Sequence, residues 1–365
     1  MAENSVVLVG VGDVGPVFGP VEPLSSLVRP ALAAADIRFG NCERVFSDLG
    51  TLNHQGGSEH ARVKPHMASI FTDCGFDVLS VANNHAMDWG PDALMDTIAL
   101  LRKKGIQTVG AGRNIEEARQ PAIIERNGVK IAFLAYCSVL HEGYEATKDK
   151  VGIAPLRART YYEPISYPAG LPPKVVTVPY ENDMEAMVND IKAAKKAADV
   201  VVVSNHWGVQ MIPRLIADYQ TIAAEATFKA GADLILGHHA HIPKAIGVHD
   251  GKVCFYSLSN FIVSSPPTAK GEFARRYGIS RDPAYPKMDY GVDAKHTLIA
   301  KAVLTRQGVK KASFLPVLID TELRPEVLRH GDPRFDDNLK YMDWASEWFD
   351  HKFTVEGDEV VITGK

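Results

Sequence analysis

Three imidazoles stand within four residues, at His238, His239 and His241, directly after Gly237. The apolar run before them, 232–236, is bounded by Gly231 and Gly237 and has the length of a buried strand. The histidines therefore emerge where a strand ends. Neutral imidazole is the commonest protein metal ligand, and rings at 239 and 241 can reach one ion or two adjacent ions. Neighbours on an extended segment face opposite ways, which makes His238 a supporting partner rather than a ligand.

Other strand ends offer matching groups. The β-branched run 5–11 stops at a glycine-flanked turn whose only ionisable residue is Asp13. Period-2 alternation puts Asn41 and Glu43 on one face. The run 76–81 delivers Asn83, Asn84 and His85, and the run 199–203 delivers His206 and Trp207. Units beginning at Asp77, Asp199 and Asp233 share one order: helix, small-residue break, aspartate, β-branched run, polar cluster with histidine. Successive strands then point their carboxyl ends at one rim, where α/β sheets bind ligands. Asp13, Glu43, Asn84, His206, His239 and His241 are expected to converge there as metal ligands. Mixed oxygen and nitrogen donors suit Mn, Fe or Zn better than Mg or Ca. Metal-assisted hydrolysis is the chemistry such a set supports, with His85 as the acid for the leaving group, a role worth about 10²–10⁴-fold in rate. Asn83 and Trp207 are expected to shape the site.

The elements that must position these groups are legible in outline. The chain has 365 residues, 46% hydrophobic and 23% charged, as an ordinary globular α/β protein has. A net charge of −4 without any basic run argues against a nucleic-acid partner. No run of apolar residues is long enough for a membrane span, and the amino terminus reads as a first strand rather than a signal, from which a cytoplasmic location is expected. Cys42, Cys74, Cys137 and Cys254 are spaced too widely for a zinc ribbon or redox pair and read as buried thiols. Helices are expected over 24–35, 66–75 and 91–104, and antiparallel strands over 252–258, 296–305 and 311–319. Residues 1–320 form the expected main domain, with long irregular inserts at 138–181 and 263–295. Arg157, Arg159, Arg275, Arg276 and Arg281 in those inserts are candidates to hold an anionic substrate. The extension 321–365 carries a helix expected over 337–352, whose Trp344 and Trp348 would pack on the domain or on a second subunit of a homo-oligomer.

The set Gly12-Asp13, Asn41-x-Glu43, Ala82-Asn83-Asn84-His85, His206-Trp207-Gly208, Gly237-His238-His239-Ala240-His241 and Tyr256-Ser257-Leu258-Ser259-Asn260-Phe261 resembles the CapA family of poly-γ-glutamate biosynthesis proteins. That family resembles the calcineurin-like metallophosphatases. The resemblance implies a four-layer α/β/β/α sandwich and a centre of two divalent ions. In it, Asp13 and His241 would serve the first ion, Glu43 would bridge, and Asn84, His206 and His239 would complete the second. His85 resembles the histidine that protonates the leaving group, and Asn260 falls in the last of the matched segments, beside the site. Gly15 stands where the phosphatase pattern has a histidine, Glu43 replaces an aspartate, and Ala240 replaces a common proline. The function implied is hydrolysis of an amide, γ-glutamyl-like bond in a small anionic substrate. Phosphomonoester or phosphodiester hydrolysis, and a non-catalytic accessory role in capsule synthesis, are the alternatives.

Overall fold

The computed structural model describes residues 4–54, 61–166, 170–264, 278–280, 282–288 and 290–365. Val6–Gly15 is the central strand of a ten-stranded sheet among these residues. On one side it pairs in parallel with Ile37–Cys42, followed by Val78–Ser80 and Gln107–Val109. On the other it pairs antiparallel with His296–Thr305, which pairs with Gly308–Ile319. A six-stranded sheet lies opposite, with Val129–Cys137, Val200–His206, Leu234–His238 and Lys252–Phe255 all parallel. Val200–His206 and Leu234–His238 are buried along their whole length, as central parallel strands require, and Val129–Cys137 is buried except at its start, where Lys130 is exposed.

The two sheets pack face to face. Phe39 stacks on Phe133 with ring centroids 5.6 Å apart, and a Cβ on Gly10 would come within 2.8 Å of the Leu236 side chain. The outer face of the smaller sheet is covered by Glu181–Ala197 and Asp218–Ala230, through Met187, Ile191, Ala223 and Phe228. The second of these helices ends on Gly231 at φ +115°, a left-handed cap that returns the chain to its strand. Gly90–Lys103 and Pro333–Ser346 pack against elements of the larger sheet. Helix, sheet, sheet and helix thus make the four expected layers.

Some expected elements differ in detail. The helix expected over 24–35 divides into Glu22–Ser25 and Arg29–Ala33, because Pro30 restarts the turn. That over 66–75 is a short 3-10 turn, Pro65–Ala68, running into Ser69–Asp73. The tail helix begins at Pro333, with the Asp332 carboxylate accepting from Arg334 N–H, and stops at Ser346. Trp344 lies on it and Trp348 beyond it, and both rings are faced by the Arg214 guanidinium. Residues 138–181 are not irregular throughout. Ala158–Glu163 and Lys174–Pro179 form an antiparallel hairpin, as their Thr, Tyr and Val content favours. From the last 45 residues, Pro325–Val327, Lys352–Glu356 and Glu359–Thr363 join the larger sheet. No helix among the described residues is long and apolar enough to cross a membrane.

Candidate metal centre

Asp13 is aimed by irregular pairing. The register of its strand shifts at this residue against both neighbours, Ile37–Cys42 and Asn260–Val263. A bulge of this kind redirects one side chain out of the alternation. A Cβ on the preceding Gly12 would lie 2.0 Å from the Ser259 carbonyl oxygen, so the strands approach this closely only at glycine. Across the rim, His239 and His241 sit at φ +90° and +58°. Left-handed backbone at two non-glycine residues is strained; here the His241 ring and the His239 backbone N–H face Asp13, and the His239 ring faces His206.

The polar groups gather in a buried cluster. One ligand atom each from Asp13, Glu43 and His206 lie within 4.8 Å of one another. His206 Nε2 is 2.8 Å from Asn84 Oδ1, 3.2 Å from His239 Nδ1 and 3.7 Å from Glu43 Oε2. Ligands about 2.1 Å from a tetrahedral ion lie about 3.4 Å from one another, so these separations suit a shared cation. Two imidazole nitrogens and an amide oxygen facing one point also fit acceptance by an ion better than a chain of hydrogen bonds. Asn41 Nδ2 donates to Asp13 Oδ1 at 2.9 Å and to Glu43 Oε2 at 2.7 Å, fixing both carboxylates. Glu43 Oε1 and Asn41 Oδ1 are buried and meet no donor among the described residues. A buried carboxylate oxygen without a donor is costly, and a cation is the group that would satisfy it.

Electrostatics agree. Burial pushes the Asp13 carboxyl up to about 7. Glu43 is raised by burial and then by the Asp13 charge. His206 is held well below the ordinary histidine value by burial and by the neighbouring imidazoles. Each shift disfavours the charged protein group, and a bound cation would reverse the penalty on the carboxylates.

The remaining candidates fall into distinct places. His85 Nδ1 is 2.7 Å from Asp88 Oδ2, and Asp88 Oδ1 accepts from the Tyr144 hydroxyl at 2.9 Å. Asp88 was visible in sequence only as an acid three residues after His85; its full burial identifies it as the residue that orients the ring. Asn83 Nδ2 donates to Cys42 O, and Asn83 Oδ1 accepts from His85 N–H, tying this loop to the loop of Glu43. Trp207 donates to Tyr256 O and stacks on its ring. Asn260 is bonded to His241. Arg157 is held by Asp183 through Nε and a terminal nitrogen, at 2.8 Å each, and lines a separate cavity of about 440 Å³ with Ser138, His141, Glu142, Glu145 and Tyr180. It is a structural tie there and not part of the cluster. Arg275, Arg276 and Arg281 lie outside the described residues.

His238 points between the sheets, its Nε2 3.1 Å from Val11 O and its Nδ1 3.3 Å from Ser204 Oγ. Burial lowers its pKa from 6.5 to about 4. The unfolded chain therefore binds the extra proton first, and the stability held above pH 6.5 is lost as pH falls toward the folded value. His238→Gln is expected to remove on the order of 3 kcal/mol of acid sensitivity by pH 4, seen as a flatter dependence of Tm on pH than in the wild type. Parallel curves for the two proteins would contradict this.

Two facing sheets with a carboxylate, amide and histidine cluster on their shared rim define a four-layer α/β protein with a candidate metal site. Residues 15–265 match the family described as bacterial capsule synthesis protein, PGA_cap, and the chain belongs to that family. It is 33% identical over 236 residues to the "PGA biosynthesis protein CapA" of Bacillus subtilis, covering 64% of this chain and 55% of that protein. It is 30% identical over 238 residues to the "Capsule biosynthesis protein CapA" of Bacillus anthracis, covering 64% and 52%. The chain thus spans about half the length of the curated relatives it matches. Among solved structures, the calcineurin-like phosphoesterase YfkN of Bacillus subtilis aligns over 94% of this chain and 99% of that one, with a TM-score of 0.39 and 11% identity.

Proposed function

We propose that this chain is a metal-dependent hydrolase that cleaves an amide, γ-glutamyl-like bond in a small anionic substrate. The observation that carries the hydrolase reading is the placement of the His85–Asp88 pair beside the convergent donors of Glu43, Asn84, His206 and His239. Those four residues would hold a divalent ion of the Mn, Fe or Zn class. Such an ion supplies an acidified water and polarises the scissile group.

The chain's own groups supply the rest. Asp88, fully buried, accepts the Nδ1 proton of His85 and fixes the ring, as the carboxylate of a catalytic histidine does. The His85 side chain is 21% exposed, whereas those of His206 and Glu43 are 1% exposed. That exposure lets a leaving group arriving from solvent meet the imidazole, which would hand it a proton. The Tyr144 hydroxyl and the Asn53 amide continue this hydrogen-bonded line away from the ring. The choice of an amide bond is supported by the relatives' association with PGA biosynthesis, since fold alone does not select the bond.

The test is turnover of γ-glutamyl-p-nitroanilide beside p-nitrophenyl phosphate and bis-p-nitrophenyl phosphate, with the protein loaded with Mn, Fe or Zn. Metal-dependent release from the amide alone is expected. Release from the phosphate esters alone would replace this reading with a phosphoesterase. Metal binding without turnover of any of them would favour a non-catalytic accessory protein.

A further inference from the structure

We propose that Lys244 is a positioning residue for the metal centre: its side-chain nitrogen clasps the loop 207–217 to the turn that carries His239 and His241, and so holds that turn in the conformation that aims both histidines. The inference rests on the metal-binding part of the proposed function and names a residue that controls the same site from outside the converging donors.

Backbone strain is concentrated in these two segments. Eight non-glycine residues among those described have left-handed backbone, and four of them, Met211, Arg214, His239 and His241, lie in the loop and the turn. Such residues cost free energy and persist only where the surrounding structure over-determines them. The loop follows His206 directly and leads into the helix Asp218–Ala230. No regular helix or strand includes residues 207–217 or 239–245, so their conformation depends on contacts of another kind.

Those contacts run between the loop and the turn. Trp207 N–H donates to His238 O at 3.3 Å, and Met211 N–H donates to Ala240 O at 3.0 Å, between the two histidines. Met211 belongs to a buried apolar cluster with Ala240, Ile242 and Tyr290, and Tyr290 stacks on the His241 ring with centroids 4.0 Å apart. From the far end of the turn, Lys244 Nζ donates to Ile212 O and to Leu215 O, the second at 3.3 Å. Lys244 is itself fixed, because its backbone N–H donates to Ser257 O at 3.2 Å, and Ser257 Oγ donates to Ile242 O at 3.0 Å. The loop is thus gripped at Met211 from one side of His241, and at Ile212 and Leu215 from the other.

Lysine is rarely buried to this depth without a carboxylate, yet Lys244 is 2% exposed and forms no ion pair among the described residues. Burial alone lowers its pKa from 10.5 to about 7. Ammonium and neutral amine both keep at least two N–H donors, enough for the two carbonyls, so the clasp holds in either state. On its outer side the same loop is latched by Arg214, whose guanidinium faces Trp344 and Trp348 and pairs with Glu347. Removing the lysine therefore leaves the loop attached at the surface and loose where it meets the histidines.

The test is the Kd for Mn²⁺, by equilibrium dialysis, of the wild type, Lys244→Met and Lys244→Gln, with a melting curve of each metal-free protein. Methionine keeps an apolar stem and brings no donor, whereas glutamine brings two N–H donors and no charge. Lys244→Met is expected to fold and to bind Mn²⁺ about 10-fold more weakly, the low end of what a partner outside the donors typically contributes. Lys244→Gln is expected to fall between it and the wild type. Wild-type affinity in a folded Lys244→Met, or equal losses in both variants, would overturn the inference and leave metal binding standing. Absence of Mn²⁺ binding by the wild type would overturn both. Hydrogen exchange of residues 208–217 in the wild type needs no variant: coupling is reciprocal, so an ion favoured by an ordered loop must slow exchange in that loop. Exchange there unchanged by saturating Mn²⁺ would overturn the inference even if Lys244→Met does not fold.

Discussion

Glu43→Ala is expected to weaken metal binding by at least about 100-fold, because loss of an outer-shell partner alone typically costs 10–100-fold and Glu43 is a donor itself. Glu43 lies 3.7 Å from His206 Nε2, and its second oxygen meets no donor among the described residues. Equilibrium dialysis against Mn²⁺ or Zn²⁺ measures the change directly. A second readout is thermal stability. An ion present at 100 times its Kd stabilises the folded state by about 2.7 kcal/mol, and the variant should lose that metal-induced rise in Tm. The metal-free variant is expected to melt no more than a few degrees from the metal-free wild type. In the wild type without an ion, burial and the Asp13 charge already work against the Glu43 carboxylate. Retention of metal at wild-type affinity in Glu43→Ala would remove the central residue of the site.

His85→Ala is expected to lower kcat by about 10²–10⁴-fold while metal content and KM stay near wild type, the range a positioned general acid contributes. The split between chemistry and binding follows from geometry: His85 is paired with Asp88, outside the four converging donors. Asp88→Asn should produce a smaller loss in kcat, because the ring remains but its orientation and tautomer are no longer fixed. Steady-state kinetics on the amide substrate, beside metal analysis of each variant, checks both. Unchanged turnover in His85→Ala would indicate that the leaving group departs without this histidine, and metal loss in that variant would make it a ligand.

Much of this arrangement is written locally in the chain. Runs such as Val200–Val203 and Leu234–Leu236 are apolar on both faces and too short for helices, so they read as central parallel strands. Polar residues at the ends of those runs mark the rim. The gathering of Asp13, Glu43, Asn84, His206, His239 and His241 follows from that pattern, and from the resemblance its motifs carry. The hairpin within 138–181 was less visible, since two β-rich segments separated by a Pro- and Gly-containing loop also suit an irregular insert. The tail strands were missed because they are short and ordered by their partners: Pro325–Val327 folds back on the end of Gly308–Ile319, Glu359–Thr363 pairs with that same strand from far away in sequence, and Lys352–Glu356 pairs with Glu359–Thr363.

The sequence by itself determined which groups stand at the strand ends, because side-chain period and β-branched runs are properties of a few consecutive residues. Tertiary structure alone decided how those groups are used. Packing of the two sheets holds His239 and His241 in left-handed backbone and turns them inward, a conformation their own residue types do not favour. It selects Asp88 as the partner of His85, clamps His241 onto Asn260 and Tyr290, and lays Arg44 across Gly15, 29 residues away. These are contacts between separate segments, and their energies exist only after the chain has closed the loops between them.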